Sequence, residues 1–531
     1  MKKSSMLLLV LLFTMLVASA CGNNNSNQKN ASVSDSAGSS TNANSTKPDN
    51  SKEVKLVGYL LGEAPKGMPD VLAALNEKLK KDINATLELN YIGWGDVASK
   101  YPLVLASGED VDFIFAADWN FYVSEANKGA FTPLDLEKMK QLMPKYMAKQ
   151  NPAAFEAATV NDKPYMIPTT TPDRKVSVAV IRKDIMDKVG LKDVKSIAEL
   201  DPYFAEIKKE YPDMIPLNLD SQFDISTPYQ YLVYDKFNYS GGPIDSGDPK
   251  SQGITYDQAD PSGKIISMME EPMLSAQKYA ATIMKGWYDK GYVNKNPYSN
   301  KTRSKDNFCE GKSGVAFGNT LDIASVMSTC KAKGIDTYLI PSLGLDGKWG
   351  MSSWTGNGIA IPAGSKNVDR TMQALDLIME DESYVNLVYF GIDGKNYTVT
   401  ADGKLGLPEG VTSDSNTYPP DAAGFWFVDK DYFKPLNEWT DEYVQHHDQV
   451  ASYLTDYQYN GFTFNSEKVK SEVANLKNVS AQYASPIYVG IIKDVDSAFT
   501  TLADKLKAAG IDKVKAEVET QASAFLANKN K

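Results

Sequence analysis

From Val54 onward, short apolar runs alternate with amphipathic helical stretches, and this alternation leaves few architectures open. Val54-Lys55-Leu56-Val57-Gly58-Tyr59-Leu60-Leu61 reads as a strand closed by Gly62. Val71, Leu72, Leu75 and Leu79 then share one helical face, with Glu77, Lys80 and Lys81 opposite. A strand over 85–92, a helix over 96–107 and a strand over 112–117 follow. A second strand-and-helix region opens at 176–181, after a polar, Pro-containing crossing at 168–173. It runs on through a helix over 196–211, a strand near 215–219, a polar helix over 301–311 and a strand over 312–317. A helix over 321–332, a strand over 358–362 and a helix over 369–381 continue the pattern. Strands alternating with helices imply βαβ units, hence an α/β fold with mixed, mostly parallel sheets flanked by helices. Ligands of such sheets sit beyond the carboxyl ends of the strands. Those ends carry Glu63, Trp94 with Asp96, and Asp118 with Trp119.

Composition narrows the chemistry. A chain of 531 residues calls for two or more domains. A net charge of −11 spread along the sequence offers no phosphate footprint, so nucleic acid is not an expected partner. Two histidines, His446 and His447, and three cysteines give no metal-ligand cluster. Adjacent histidines point to different sides of a helix, so this pair reads as solvated surface. Asp245, Ser246 and Asp248 lack the spacing of a calcium loop and read as a turn. With no glycine-rich nucleotide loop either, no metal and no cofactor is expected.

The first residues read as an address. Lys2 and Lys3 precede an apolar run over 6–17, too short to cross a bilayer, and Ala18-Ser19-Ala20-Cys21 follows. The segment 1–20 resembles a bacterial lipoprotein signal peptide, which implies a diacylated Cys21 as the mature N-terminus. Ala18 stands where such signals usually carry leucine. Residues 21–52 are dominated by Ser, Asn, Ala and Gly, the composition of a disordered tether. Without Lys2 and Lys3 the chain is more acidic still, so attachment would rest on acyl chains and not on a basic face.

Further along, Ser107–Trp119 (SGEDVDFIFAADW) and Lys128–Asp135 (KGAFTPLD) resemble the first domain of extracellular solute-binding proteins of ABC importers. Gly311–Thr320 (GKSGVAFGNT), Gly356–Asn367 (GNGIAIPAGSKN) and Gly391–Tyr397 (GIDGKNY) fall in the order of the maltose-binding-protein-like group. The stretch from Gly461 (GFTFNSEKVKSEVANLKNV) is similar to an uncharacterised C-terminal domain of LipO-type lipoproteins. The resemblance implies a two-lobed periplasmic-binding-protein-like clamp of type II with a multi-crossing hinge. Lobe one would comprise 53–170 with 357–420. Lobe two would comprise 171–356 with 421–531, including the C-terminal helices. The function this implies is capture of a carbohydrate, an oligosaccharide by expectation, by a monomer lipid-anchored on the outer face of the cell membrane, and delivery to an ABC permease.

A sugar cleft needs aromatic faces beside carboxylates and amides on loops. Glu63, Trp94, Asp96, Asp118 and Trp119 qualify on the first lobe, although Asp96 also suits a helix N-cap and Trp119 a core position. On the second lobe, Gln222-Phe223-Asp224 supplies an amide, a ring and a carboxylate, and Asn319 follows a strand end where it would alternatively cap a helix. Trp354 and Trp426 lie near chain crossings between lobes. Tyr165, in Lys163-Pro164-Tyr165-Met166-Ile167-Pro168, resembles a family segment near the hinge, with Asp162 where that segment has glycine. A secreted glycosidase, built on two positioned carboxylates, is the rival reading. A binder of some other solute that presents it to a membrane sensor is another. Finally, Cys309 and Cys330 are the two cysteines left in an oxidising compartment. A helix over 321–332 running back along the strand would return Cys330 to Cys309, so a disulfide is expected.

Overall fold

A computed structural model describes residues 49–221, 223–238, 253–462 and 464–529. The signal peptide, Cys21, nearly all of the tether, Gln222 and the Asp245–Asp248 turn lie outside the described residues. Residues Asp49–Lys531 form one compact unit.

Eight strands build its two principal sheets: β1 (Val54–Leu61), β2 (Ala85–Ile92), β3 (Phe113–Ala116), β4 (Met166–Pro168), β5 (Ser177–Arg182), β6 (Val315–Asn319), β7 (Thr337–Pro341) and β8 (Gly358–Ala360). The first sheet runs β2-β1-β3-β8-β4. β1 is parallel to β2 along its whole length, from Val54 opposite Ala85 to Leu61 opposite Ile92, and parallel to β3. β8 returns antiparallel to both β3 and β4. The second sheet, β6-β5-β7, is antiparallel throughout. The clamp is thus less parallel than the strand–helix alternation implied. Alternation reports which segments are strands, but strand direction depends on which neighbours each return meets.

The helix Met68–Ile83 shows why the first lobe holds. Val71, Leu75, Leu79 and Ile83 repeat on one face and are buried, while Lys80 and Lys81 end the helix against its dipole. Asn84, at φ 51°, closes it in the left-handed region that asparagine tolerates. Together with Phe113, Phe115 and Ile359 these residues form one core. That core also takes Phe425, Phe427 and Val428, so the last return to the second lobe comes after about Leu436, later than position 420.

The second core joins Ala179, Ile181 and Phe317 of the antiparallel sheet to helix Met273–Asp289 and to Val473, Leu502, Val514 and Val518 from the C-terminal helices. The C-terminal helices therefore share one hydrophobic core with the antiparallel sheet. Several elements fall short of their expected extents. The stretch 301–311 carries only a short 3-10 turn, Ser304–Asp306, and 215–219 pairs through isolated bridges instead of a strand. The histidine pair is less solvated than expected: His446 is half-buried and His447 packs on Trp439 at 4.8 Å between rings.

Cys309 and Cys330 are joined by a disulfide, with 4.9 Å between Cα atoms. Their loop encloses Asn319 and Asp322.

Where the chain passes between lobes, the passages bind one another. Thr169 N–H donates to the Asn357 carbonyl (2.9 Å), and the Asn357 amide donates to Asp173 (2.8 Å). Lys430 Nζ pairs with Asp173 at 3.1 Å, and its backbone N–H donates to the Thr171 hydroxyl.

Candidate functional site

A cavity of about 830 Å³ lies between the two cores. The parallel register of β1, β2 and β3 brings three strand ends to the same rim, and with them Glu63, Trp94 and Trp119. Gly62 is required there twice over. Its φ is 97°, and a Cβ would stand 3.0 Å from the Trp94 indole nitrogen. Beyond β3, Phe121 sits at φ 59°, a conformation that costs a bulky residue on the order of 1–3 kcal/mol. Its ring stacks on Tyr101 at 5.9 Å, which helps hold the turn that projects Trp119 outward.

Three indoles form the first wall. Trp94 stacks on Trp426 at 5.4 Å between ring centroids and on Trp119 at 6.5 Å, with Phe115 behind both Trp119 and Trp426. Trp119 donates from its indole nitrogen to the Gly356 carbonyl (2.7 Å), and Trp426 likewise to the Asp421 carbonyl (2.9 Å). Trp119 remains 36% exposed, too open for a core residue.

The second wall is polar. Phe223 meets Trp94 edge-on at 5.0 Å, and Arg303 lies 4.9 Å over the same indole. Asp224 is buried and accepts from the Ser304 N–H (2.6 Å). Burial, reinforced by the Asp220 charge, pushes its carboxyl above the usual range. Asn319 accepts from the Leu321 and Asp322 N–H groups, so its side-chain oxygen caps the turn while the residue still lines the cavity. At the hinge, burial opposes ionisation of Asp173, but Lys175 and Lys430 win and hold it well below the usual range. Asp421, at φ 70°, is pushed up to about 6 by burial and by the Asp322 charge.

Of the residues singled out in the sequence, Glu63, Trp94, Trp119, Phe223, Asp224, Asn319 and Trp426 line this one cavity. Four described residues do not. Asp96 makes no capping bond and instead pairs with Lys100 (3.0 Å) and Lys301 across the lobes. Asp118 is taken up by the hydroxyls of Ser353 and Thr355. Tyr165 packs on the first core, its N–H donating to the Tyr122 hydroxyl. Trp354 belongs to a turn beside helix Pro152–Ala157. Sequence reasoning passed over Lys175, Arg303, Lys305, Asp322 and Asp421, all of which line the cavity. The one available signal was Arg303-Ser304-Lys305-Asp306, a dense charge cluster inside an acidic chain, which read as part of a polar helix over 301–311.

A family model described as bacterial extracellular solute-binding protein matches residues 74–392. The chain belongs to that family. A second model, a domain of unknown function (DUF3502), matches residues 458–527 of this solute-binding protein. A carbohydrate ABC transporter substrate-binding protein of Streptococcus pneumoniae serotype 4 is 25% identical over 483 residues, covering 89% of this chain and 91% of the relative. The polygalacturonan/rhamnogalacturonan-binding protein YtcQ of Bacillus subtilis is 27% identical over 316 residues, 57% of this chain and 60% of YtcQ. Among solved structures, the N-glycan transport solute binding protein NgtS of Streptococcus pneumoniae, in complex with Man5GlcNAc, superposes with a TM-score of 0.71. It is 23% identical, and the match covers 90% of this chain and 99% of that one. The alginate-binding protein AlgQ2 gives a TM-score of 0.61 at 20% identity, covering 89% and 98%. Both share the two-lobed fold.

Proposed function

We propose that this solute-binding protein captures an oligosaccharide between its two lobes and passes it to the transmembrane subunits of an ABC importer. The observation that carries the reading is the pairing of walls around one cavity: stacked indoles on one side, carboxylate, amide and guanidinium groups on the other. A pyranose has the matching two faces, C–H bonds above and below the ring and hydroxyls around its edge. The carbohydrate-binding relatives support it as well.

The protein works by binding and closure, without covalent chemistry. A guest seated on the first wall gains its remaining hydrogen bonds only when the second lobe reaches it, so occupancy favours the closed clamp. Cys21 carries the lipid anchor, residues 21–52 give the reach, and the folded unit acts as a monomer at the outer face of the membrane.

Differential scanning fluorimetry against neutral and acidic oligosaccharides, amino acids and peptides tests the reading, with chromatography of the incubated sugars alongside. Stabilisation by an oligosaccharide that is recovered intact is the expected result. Cleavage products would establish a glycosidase instead, and stabilisation by a non-sugar solute alone would remove the carbohydrate.

A further inference from the structure

We propose that the cleft selects neutral oligosaccharides and rejects uronate-containing ones, an inference that rests on the carbohydrate reading above. It comes from asking which charges around the cavity are already committed.

Each cation lining the cavity has a carboxylate of this chain against it. Lys175 pairs with Asp173 at 2.6 Å. Lys430 pairs with the same carboxylate at 3.1 Å and donates to the Trp426 carbonyl at 2.6 Å. Arg303 spends its fork on Asp306, with Nε at 3.0 Å and Nη2 at 2.7 Å, and lays its remaining face on Trp94. Lys305 is paired with Asp322, and Lys301 with Asp96. A uronate seeks a guanidinium fork or an ammonium, and here it would have to displace a carboxylate that is already seated.

The carboxylates tell the opposite story. Glu63, Asp224, Asp421 and Glu438 line the cavity, and none of the four makes an ion pair among the described residues. Asp421 accepts from the Tyr389 hydroxyl (3.3 Å), and Glu438 from the Leu407 N–H (2.7 Å). The surplus capacity of the site is therefore for accepting hydrogen bonds, which is what sugar hydroxyls supply and what an ionised carboxylate cannot. The carboxyls of Asp224 and Asp421 are raised first by burial and then by a neighbouring carboxylate, so an added anion would meet both a desolvation cost and like charge there. Asp421 also occupies the left-handed backbone region, a strain of the kind structures retain at ligand clamps.

Isothermal titration of the whole chain at low salt and pH 7.5 tests this with tetragalacturonate, its methyl ester, and neutral tetrasaccharides of mannose, glucose and xylose. Methyl esterification removes the charge and keeps the scaffold. At least one neutral tetrasaccharide should bind, and the free acid should bind at least tenfold more weakly than any neutral binder and than its own ester. Tetragalacturonate binding as tightly as the neutral sugars would overturn the inference and leave the carbohydrate reading standing. No heat from any sugar would overturn both. Glu63→Lys, at an exposed position on the rim, supplies the second arm. The ratio of acid to ester affinity should rise about tenfold in this variant, and an unchanged ratio would show that rim charge does not set the preference.

Discussion

The wall that the first lobe gives to the cleft and the wall that faces it are built in different ways. Trp94 and Trp119 stand just past the ends of β2 and β3, the strands on either side of β1 and parallel to it, so the register of the three sets their positions before any guest arrives. Arg303 and Lys305 instead sit at the short turn before Cys309, and Asn319 and Asp322 at and just beyond the end of β6; Arg303 is held by Asp306, Lys305 by Asp322, and the Asn319 N–H by Asp322. One wall is positioned by the backbone, the other by side-chain partners and a covalent staple. The first should thus tolerate local changes in the second, and the reverse test should distinguish them clearly.

The strongest way to separate the walls is to cut the staple. Replacing Cys309 and Cys330 by alanine releases a loop spanning 21 residues and should lower stability by about 3 kcal/mol, read from urea unfolding. Because Asn319 and Asp322 lie inside that loop, sugar affinity should fall in the folded variant too, while the tryptophan emission of the first wall holds. A red shift of that emission in the folded variant would mean that the two walls are not independent.

Next comes Trp119→Ala. The indole is too exposed to anchor the core, so the melting temperature should move little, whereas removing a stacking face should cost about 2 kcal/mol of binding, roughly thirtyfold in Kd. Asn319→Ala should cost only a few-fold, because its side-chain oxygen already serves backbone N–H groups. Titration of both variants ranks the walls, and equal losses would erase the contrast between them.

The same distinction explains what was legible in the sequence. Glu63 and Trp94 were accessible because Gly62 and Gly93 close the first two apolar runs, and Trp119 because the continuous apolar run Phe113–Ala116 marks a buried strand; the topology then places all three on one rim. Asp118 has the same credentials but points to Ser353 and Thr355, since neighbouring residues leave a strand end in different directions. Trp354 and Trp426 both sit near crossings, and only packing decides that Trp426 lines the cavity while Trp354 lies in the turn beside helix Pro152–Ala157. Arg303, Lys305 and Asp322 have no periodic signature at all: their positions follow from long-range pairing, as does the antiparallel course of β5 between β6 and β7.

Asp421 and Asp173 sit near the junction of the walls and should respond to pH with opposite signs. The folded protein holds the Asp421 proton up to about 6, against about 3.9 in an unfolded chain, so this residue's contribution is complete below pH 4 and is lost as pH rises through 6. Asp173, held low by two lysines, contributes above pH 4 and loses that contribution in acid. Asp421→Asn should flatten the decline in stability between pH 4 and 6 by about 1–2 kcal/mol and leave the acid limb unchanged. Chemical denaturation across pH 3–8 checks both, and a decline that persists in the variant would locate the titrating group elsewhere.

The smallest effect should come from the most visible link between the lobes. Lys301 of the second wall reaches Asp96 of the first lobe, an arrangement that looks like a latch between the lobes. The Lys301 side chain is 63% exposed, and Asp96 already has Lys100 at 3.0 Å. Exposed pairs contribute about 0–1 kcal/mol because water screens the charges and two long side chains must be ordered to meet. Closure must then be driven by contacts that exclude water, chiefly Phe223 and Arg303 on Trp94. Lys301→Ala should accordingly change ligand affinity by less than threefold and leave the ligand-induced fall in radius of gyration, read by small-angle scattering, intact. A variant that no longer contracts on binding would make this exposed pair, and not the aromatic seam, the element that joins the two walls.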